Sequence, residues 1–233
     1  MIGIIGALDI ELNFFFKKMV IAKTELIANK TFYLGHINNK EVVIVKSDIG
    51  KVNAAITATI LANHYQANLI INTGIAGGTK STKLGDIILA EGLAYFDAST
   101  TAIDENPYGQ LGEDPLIIKT DQTHLDKAKH IFDQLGYEYH VGHIVSGDKF
   151  VTKMRYLDKI SNNVPNILAC EMEGMAIAMT AYKFDIPFVS IRGISDLIEE
   201  HSQTDSYFKV AKEVASKSSN FVLSFLEAFN ENN

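Results

Sequence analysis

The sequence has little that would support a disulfide-stapled or nucleic-acid-binding protein. It contains one cysteine, Cys170, no tryptophan and four prolines, and its 21 Lys and Arg residues face 28 Asp and Glu residues, for a formal net charge of −7. A single cysteine excludes an intrachain disulfide and a cysteine-based zinc cluster, so we expect a reducing, cytoplasmic location. The acidic balance argues against a nucleic-acid partner, because such proteins need clustered Lys and Arg side chains.

Targeting segments and long hydrophobic runs are also lacking. The first six residues, Met1–Gly6, include no basic side chain, and Asp9 and Glu11 follow too early for a secretory signal peptide. The uncharged stretch Val52–Thr79 is interrupted by Asn, His and Gln, whereas a membrane span needs about 20 predominantly apolar residues. We therefore expect a soluble protein without a membrane partner.

Short apolar segments alternate with helical patterns along the chain. The predicted buried strands are Ile2–Ile5, Val42–Val45, Leu69–Ile71, Ile87–Leu89, His143–Val145, Ile167–Cys170 and Pro187–Ile191. The predicted helices are Val52–Tyr65, Leu125–Leu135, Met172–Tyr182 and Tyr207–Phe229. Strands that alternate with helices and are apolar on both faces predict an α/β fold, with helices covering a mainly parallel or mixed β-sheet.

Two further segments complete the predicted organisation. Thr31–Ile37 and Glu41–Lys46 are predicted as an antiparallel hairpin, joined by Asn38-Asn39-Lys40, because asparagine tolerates left-handed backbone. Residues Tyr95–Leu116, rich in Asp, Asn, Pro and Gly, are predicted as one long loop. Since no linker-like shift in composition divides the chain, residues 1–233 are interpreted as a single domain.

Polar residues follow several predicted strands at the end where α/β sheets bind ligands. They are Glu11, the Gly74–Gly78 segment, the pair Glu171 and Glu173, and the run Arg192-Gly193-Ile194-Ser195-Asp196. The glycines match neither the dinucleotide pattern GxGxxG nor the phosphate loop GxxxxGK[ST], so those two functions lose support. The residues that remain are suited to general acid and general base catalysis by carboxylates, aided by one arginine.

Each of these residues also has a purely structural interpretation. Glu11 could favour the positive end of the first helix, and Asp196 could be a loop or N-cap residue. Glu171 and Glu173 could be solvated charges at a helix start, and the glycines could form a tight turn or let a ligand approach the backbone. Cys170 is interpreted as a small buried residue. No metal site is expected.

Taken together, eight segments resemble one family. They are Gly3–Ala7 with Glu11, Lys46–Val52, Asn72–Gly74 with Ala76–Gly78, Gly85–Ile87, Tyr108–Leu111, Val145–Asp148 with Phe150, Glu171–Glu173, and Arg192 with Ile194–Asp196. In this order they are similar to the 5′-methylthioadenosine/S-adenosylhomocysteine nucleosidases of the purine nucleoside phosphorylase superfamily. The resemblance implies a central twisted mixed β-sheet flanked by α-helices, a homodimer, and hydrolysis of an N-glycosidic bond in adenine thionucleosides without a cofactor.

The resemblance also implies roles for individual residues. Asp196 corresponds to the acid that protonates adenine N7, and Glu11 to the base that activates water. Glu173 and Met172 correspond to ribose contacts, and Arg192 lies near the water and the carboxylates. Phe150 corresponds to the residue that stacks on adenine, with the backbone of Val151 bonding to the base. The predicted substrate-binding set also includes Leu8, Ile49, Gly77, Ser195 and Tyr207.

Some positions depart from the family pattern. Leu8 stands where methionine is common in the pocket for the 5′-substituent, and Ile75 where some relatives carry a serine that touches the sugar or water. Ile103 and Gly112 stand where relatives carry bulkier residues that reach the neighbouring subunit's site, and Tyr207 stands near a position often occupied by phenylalanine. These changes leave the acid, the base and the ribose ligands intact. Two alternatives stay open: a phosphorylase that uses phosphate in place of water, and a nucleoside-binding protein without turnover.

Overall fold

The computed structural model describes residues 1–199 and 204–228, with the backbone alone for 204–208. The strands are β1 Ile2–Gly6, β2 Val20–Ile27, β3 Lys30–Ile37, β4 Lys40–Lys46, β5 Leu69–Gly78, β6 Ile87–Tyr95, β7 Ile118–Lys119, β8 His140–Ser146, β9 Ile167–Glu171 and β10 Phe188–Leu197. The helices are α1 Asp9–Phe16, α2 Lys51–Asn63, α3 Gln122–Gln134, α4 Asp158–Ser161, α5 Gly174–Lys183 and α6 Thr204–Ala228, and a 3₁₀ turn spans Met154–Tyr156.

The strands form one mixed sheet around β1 and β5. β1 pairs in parallel with β4 and β5, and β5 pairs in parallel with β10. β10, β6, β8 and β9 continue the sheet until β9 pairs antiparallel with the end of β5, which closes these five strands into a ring. β3 and β2 extend the other side as antiparallel strands. The predicted α/β fold with a central mixed sheet is confirmed.

Two hydrophobic layers cover the central strands. α2 and α5 pack together on one layer, where Leu61 and Ile177 are fully buried against strand residues such as Val43. α1, α3 and α6 pack on the other, where Phe132 and Phe225 are fully buried. Because strands such as β1 are buried along their whole length, they appear in the sequence as continuous apolar runs. None of the described helices is both long and apolar enough to span a membrane.

The predicted hairpin forms with a tighter turn than expected. β3 ends at Ile37 and β4 begins at Lys40, so only Asn38 and Asn39 connect them, with φ of 48° and 63°. Two successive residues of positive φ match the twist of adjacent strands. Lys40 therefore belongs to the strand and not to the turn.

The Phe14–Phe16 run belongs to the core of its own chain. Phe15 is fully buried, and Phe14 and Phe16 pack against the same hydrophobic layer. The ring of Phe16 lies edge-on to Tyr33, with 4.7 Å between the ring centroids. This run therefore packs α1, the helix that carries Glu11, against the sheet.

Candidate active site

A cavity lies where β1, β5, β9 and β10 end, as expected for ligand sites in α/β sheets. It encloses about 670 Å³, its open mouth included, within the range of small-molecule sites. Its lining residues are Ala7, Leu8, Glu11, Ile49, Ile75, Ala76, Gly77, Lys149, Phe150, Val151, Cys170, Glu171, Met172, Glu173, Ser195, Asp196 and Ile198. Apolar atoms dominate this wall, and four carboxylates are set into it.

Glu11 lies at the deep end of the cavity with 2% of its surface exposed. Its Oε2 accepts hydrogen bonds from the backbone N–H groups of Ala7 (2.7 Å) and Leu8 (2.9 Å), and its Oε1 accepts one from Ile75 (2.9 Å). Burial raises the pKa of Glu11, while the Arg192 charge and these three N–H groups oppose the shift. Glu11 is thus a fixed carboxylate with a raised pKa, and a raised pKa makes a carboxylate a stronger base.

Arg192 is buried behind this carboxylate and joins several acidic groups. Its Nη2 donates to Glu171 Oε2 (2.6 Å) and to Asn72 Oδ1 (2.8 Å), and its Nη1 lies 3.7 Å from Glu11 Oε1. Nη2 also lies 3.9 Å from Glu173 Oε2. One guanidinium therefore faces three buried carboxyl groups, those of Glu11, Glu171 and Glu173.

Glu173 lies at the start of α5 with 5% of its surface exposed. Its Oε1 accepts a hydrogen bond from the backbone N–H of Gly50 (2.8 Å), which belongs to the loop between β4 and α2. Burial and the nearby carboxylate of Glu171 raise the pKa of Glu173 to about 8, against the opposing effects of Arg192 and the Gly50 N–H.

Asp196 lies near the end of β10, on a different wall of the cavity. Its Oδ1 accepts a hydrogen bond from Ser195 Oγ (2.8 Å). Partial burial raises the pKa of Asp196, and the Ser195 hydroxyl opposes the shift. An aspartic acid that holds its proton closer to neutral pH is suited to act as a general acid.

Two glycines of β5 show how far apart the carboxyl groups of Glu11 and Asp196 lie along the strand. A Cβ at Gly74 would lie 2.3 Å from both Glu11 Oε1 and Arg192 Nη1, and a Cβ at Gly77 would lie 3.3 Å from Asp196 Oδ2. Three residues of a strand span roughly 10 Å. Glu11 and Asp196 therefore lie beside different positions of β5, and the absence of a side chain at Gly74 lets Glu11 approach the strand.

Comparison with known proteins identifies the family. Residues 1–227 match the family model described as the phosphorylase superfamily. The 5′-methylthioadenosine/S-adenosylhomocysteine nucleosidase of Staphylococcus epidermidis is 39% identical over 227 residues, which cover 97% of this chain and 98% of the relative. This chain belongs to the same nucleosidase family.

Solved structures agree with that membership. The nucleosidase from S. pneumoniae with a transition-state inhibitor, MT-ImmA, has a TM-score of 0.90 and 34% identity, and the match covers 98% of this chain and 99% of that chain. The enzyme from Streptococcus pyogenes in complex with a methylthiotubercidin has a TM-score of 0.91 and 33% identity, with coverage of 98% and 97%. The nucleosidase fold therefore extends over nearly the whole chain.

The cavity brings together most of the residues predicted from the sequence. Those that line it are Leu8, Glu11, Ile49, Gly77, Phe150, Val151, Met172, Glu173, Ser195 and Asp196. Arg192 contacts the cavity through the carboxylates that it binds. Phe150 is 59% exposed and lies at the mouth together with Ile49. The side chain of Tyr207 and the predicted helix end at Phe229 lie outside the described residues.

Of the departures from the nucleosidase pattern, Leu8 and Ile75 line the cavity and Ile103 is 85% exposed in the long loop. Cys170 is buried as predicted, and it also contributes to the cavity wall. Among the described residues, no group of three or more His, Cys, Asp or Glu is placed to hold a metal ion.

Glu171 makes more hydrogen bonds in the cavity wall than the sequence indicates. Besides Arg192, its carboxylate accepts hydrogen bonds from the backbone N–H groups of Glu173 and Gly174 and from the hydroxyl of Ser146. It thereby binds the start of α5 to the end of β8. The interpretation of Glu171 and Glu173 as solvated charges is wrong, because both are buried.

Asn72 and Ser146 belong to segments of the family pattern, but sequence reasoning gave neither of them a role in the site. Both are fully buried, and each contacts a charged residue of the site, Arg192 or Glu171. Each lies within or at the end of an apolar strand. A polar side chain in such a position was the available signal, because buried polar groups need hydrogen-bond partners.

The pKa of Glu173 predicts how the stability of the protein depends on pH. An acid whose pKa is raised from 4.5 to about 8 by folding contributes stability that is fully present below pH 4.5 and is lost as the pH rises towards 8. We expect the melting temperature of the unliganded protein to fall between pH 5 and pH 8, and the slope to be smaller in Glu173→Gln. Glutamine keeps an acceptor for the Gly50 N–H, so it serves as a matched variant; an unchanged slope would contradict the raised pKa.

Proposed function

We propose that this protein hydrolyses the N-glycosidic bond of 5′-methylthioadenosine and S-adenosylhomocysteine, and of 5′-deoxyadenosine, releasing adenine and the corresponding sugar. The observation that carries the proposal is that Glu11 and Asp196 line one cavity, beside Gly74 and Gly77 of β5 respectively, and that each has a raised pKa. The named relatives and neighbours, which are nucleosidases of these substrates, support it.

On the sugar side, Glu11 takes a proton from water as the water oxygen bonds to C1′. The C1′–N9 bond breaks, and its electron pair goes to the purine. A carboxylate facing the sugar also stabilises the positive charge that develops on the ring. Arg192, 3.7 Å from Glu11, holds this carboxylate in place, while Glu173 and Met172 face the ribose hydroxyls.

On the base side, Asp196 gives its proton to N7 of adenine, so that the purine leaves without a negative charge. Phe150 at the cavity mouth stacks on the purine, and the backbone of Val151 bonds to its edge. Ser195 orients the Asp196 carboxyl through its 2.8 Å hydrogen bond. A correctly placed acid of this kind contributes about 10²–10⁴-fold in rate.

The charges of the cavity favour water over phosphate as the nucleophile. A phosphorylase must hold an anion, which needs cationic groups or a helix N-terminus directed at it. Among the described residues, the guanidinium of Arg192 is already paired with buried carboxylates. The other arginine, Arg155, and the lysine of the cavity lining, Lys149, both lie beside the ring of Tyr156. An anionic nucleophile beside Glu11 would be repelled.

The decisive experiment is adenine release in phosphate-free buffer, first from methylthioadenosine and then from S-adenosylhomocysteine. We expect rapid release from both, unchanged by added phosphate, with Asp196→Asn as the background control. Release that begins only when phosphate is added would assign the protein to the phosphorylases. If the protein bound a nucleoside analogue but released no adenine from either substrate, it would be a nucleoside-binding protein and not an enzyme.

We further propose that residues 1–233 act as one domain in a cytoplasmic homodimer. Val52 and Ile56 on the outer face of α2 are 71% and 41% exposed, and Ile103 of the long loop is also exposed. Exposed apolar side chains of this kind supply the area that stable dimers bury. We expect a molar mass in solution of twice the 25.7 kDa of the chain; a monomer at micromolar concentration would overturn the dimer.

A further inference from the structure

A buried lysine lies outside the residues used by the proposed reaction. Lys30, at the start of β3, is 6% exposed. Its ammonium group donates to the carbonyl oxygen of Ser47, to Asp48 Oδ2 (3.1 Å) and to Asn53 Oδ1 (3.2 Å). An ammonium has three donors, and here all three are used. All the acceptors belong to residues 47–53, the loop between β4 and the first turn of α2.

The backbone of this loop includes two residues with positive φ. Asp48 has φ of 64° and Gly50 has φ of 99°. Left-handed backbone is unfavourable for a residue with a side chain, so surrounding contacts must offset its cost. Lys30 binds the carbonyl before Asp48 and the Asp48 carboxylate itself. Asn53, the third partner of Lys30, donates from Nδ2 to the carbonyl oxygen of Ile49 (2.8 Å). Lys30 therefore binds the start of the segment 47–49, and Asn53 binds its end.

The loop held by Lys30 forms part of the cavity. Ile49 lines the wall, and the next residue, Gly50, donates its N–H to Glu173 Oε1 (2.8 Å). The groups assigned to the base belong to other segments: Phe150 and Val151 follow β8, and Asp196 lies in β10. The contact from this region towards the base side is made by Lys51, whose N–H donates to Asp148 Oδ1 (2.8 Å), and Lys30 does not bind Lys51. A change at residues 47–50 should therefore act mainly on the sugar side of the cavity.

We propose that Lys30 is a positioning residue for sugar binding, which acts by fixing the 47–50 loop so that Gly50 orients Glu173 and Ile49 covers the ribose. This proposal rests on the proposed function, because it assigns Glu173 to the ribose. Lys30 itself is buried beneath the loop and acts only through it.

The test compares two ligands on two lysine variants. Binding of adenine, and of a 7-deaza analogue of methylthioadenosine that lacks the N7 to be protonated, is measured by calorimetry on the wild type, on Lys30→Met and on Lys23→Met. Lys23 is a matched control, since it is exposed on β2 and pairs with Glu25. We expect Lys30→Met to bind the nucleoside about tenfold more weakly, a change of about 1.4 kcal/mol, while adenine binding stays the same. Lys23→Met should leave both affinities unchanged.

A second variant keeps the proposal testable if Lys30→Met does not fold. Asn53→Ala removes the bridge from Lys30 to the Ile49 carbonyl at a partly exposed position, and it should also weaken nucleoside binding selectively. Equal weakening of adenine and nucleoside, or no weakening of either, in a folded variant would overturn the role of Lys30. A wild type that binds neither ligand would instead refute the proposed function.

Discussion

Replacing Asp196 by asparagine should leave a folded protein that binds the nucleoside but turns it over about 10²–10⁴-fold more slowly. Asparagine has nearly the same shape and can still accept the hydrogen bond from Ser195 through its carbonyl oxygen. What it lacks is a proton that can be transferred to N7. The leaving purine would then carry the negative charge that protonation removes, so the loss should fall on kcat and not on binding.

The measurement is adenine release under saturating and limiting substrate, together with calorimetric binding of the 7-deaza analogue. Ser195→Ala is the matched control, because it removes the neighbouring hydroxyl and leaves the acid. The Ser195 hydroxyl lowers the pKa of Asp196, so its removal should raise that pKa and move the alkaline limb of the rate profile to higher pH. Near-normal turnover in Asp196→Asn would remove this residue from the acid role.

The central fold is predictable from the sequence because buried strands leave a simple pattern. β1 and β4 are apolar along most of their length, so their positions are found to within two residues. The start of β5 at Leu69 is also found, but its extension to Gly78 is missed because Asn72, Thr73 and the glycines interrupt the apolar run. β2 is missed because it is an edge strand whose residues are mostly exposed, with apolar and charged side chains mixed. β7 is missed because two residues carry no periodic signal.

The site is less predictable than the fold, because it depends on contacts between distant segments. Glu11, Glu171 and Arg192 are far apart along the chain, and only the alignment of β1, β9 and β10 shows that one guanidinium serves several carboxylates. The family resemblance supplies the residues but not these distances. The contact of Lys30 with residues 47–53 has no sequence signal at all, since an isolated lysine is usually solvated.

Replacing Glu11 by glutamine should also lower turnover about 10²–10⁴-fold, for a different reason. The Glu11 carboxylate accepts hydrogen bonds on both oxygens, from the N–H groups of Ala7 and Leu8 on Oε2 and from Ile75 on Oε1. Glutamine has one oxygen and one NH₂ group, so either orientation sets a donor against a backbone donor. The variant thus loses the base and the fixed position of the side chain together, and Arg192 loses one of its carboxylate partners.

The pH profile distinguishes this role from simple binding. Glu11 must be ionised to take a proton from water, so kcat/KM of the wild type should rise with pH through the raised pKa of Glu11. That acidic limb should disappear in Glu11→Gln. Asp9→Asn is the matched control, because Asp9 lies on the same helix, is exposed and pairs with Lys46, and its rate should equal that of the wild type. If Glu11→Gln instead raised KM with kcat unchanged, Glu11 would bind the substrate without activating water, and the nucleophile would need another base within this cavity.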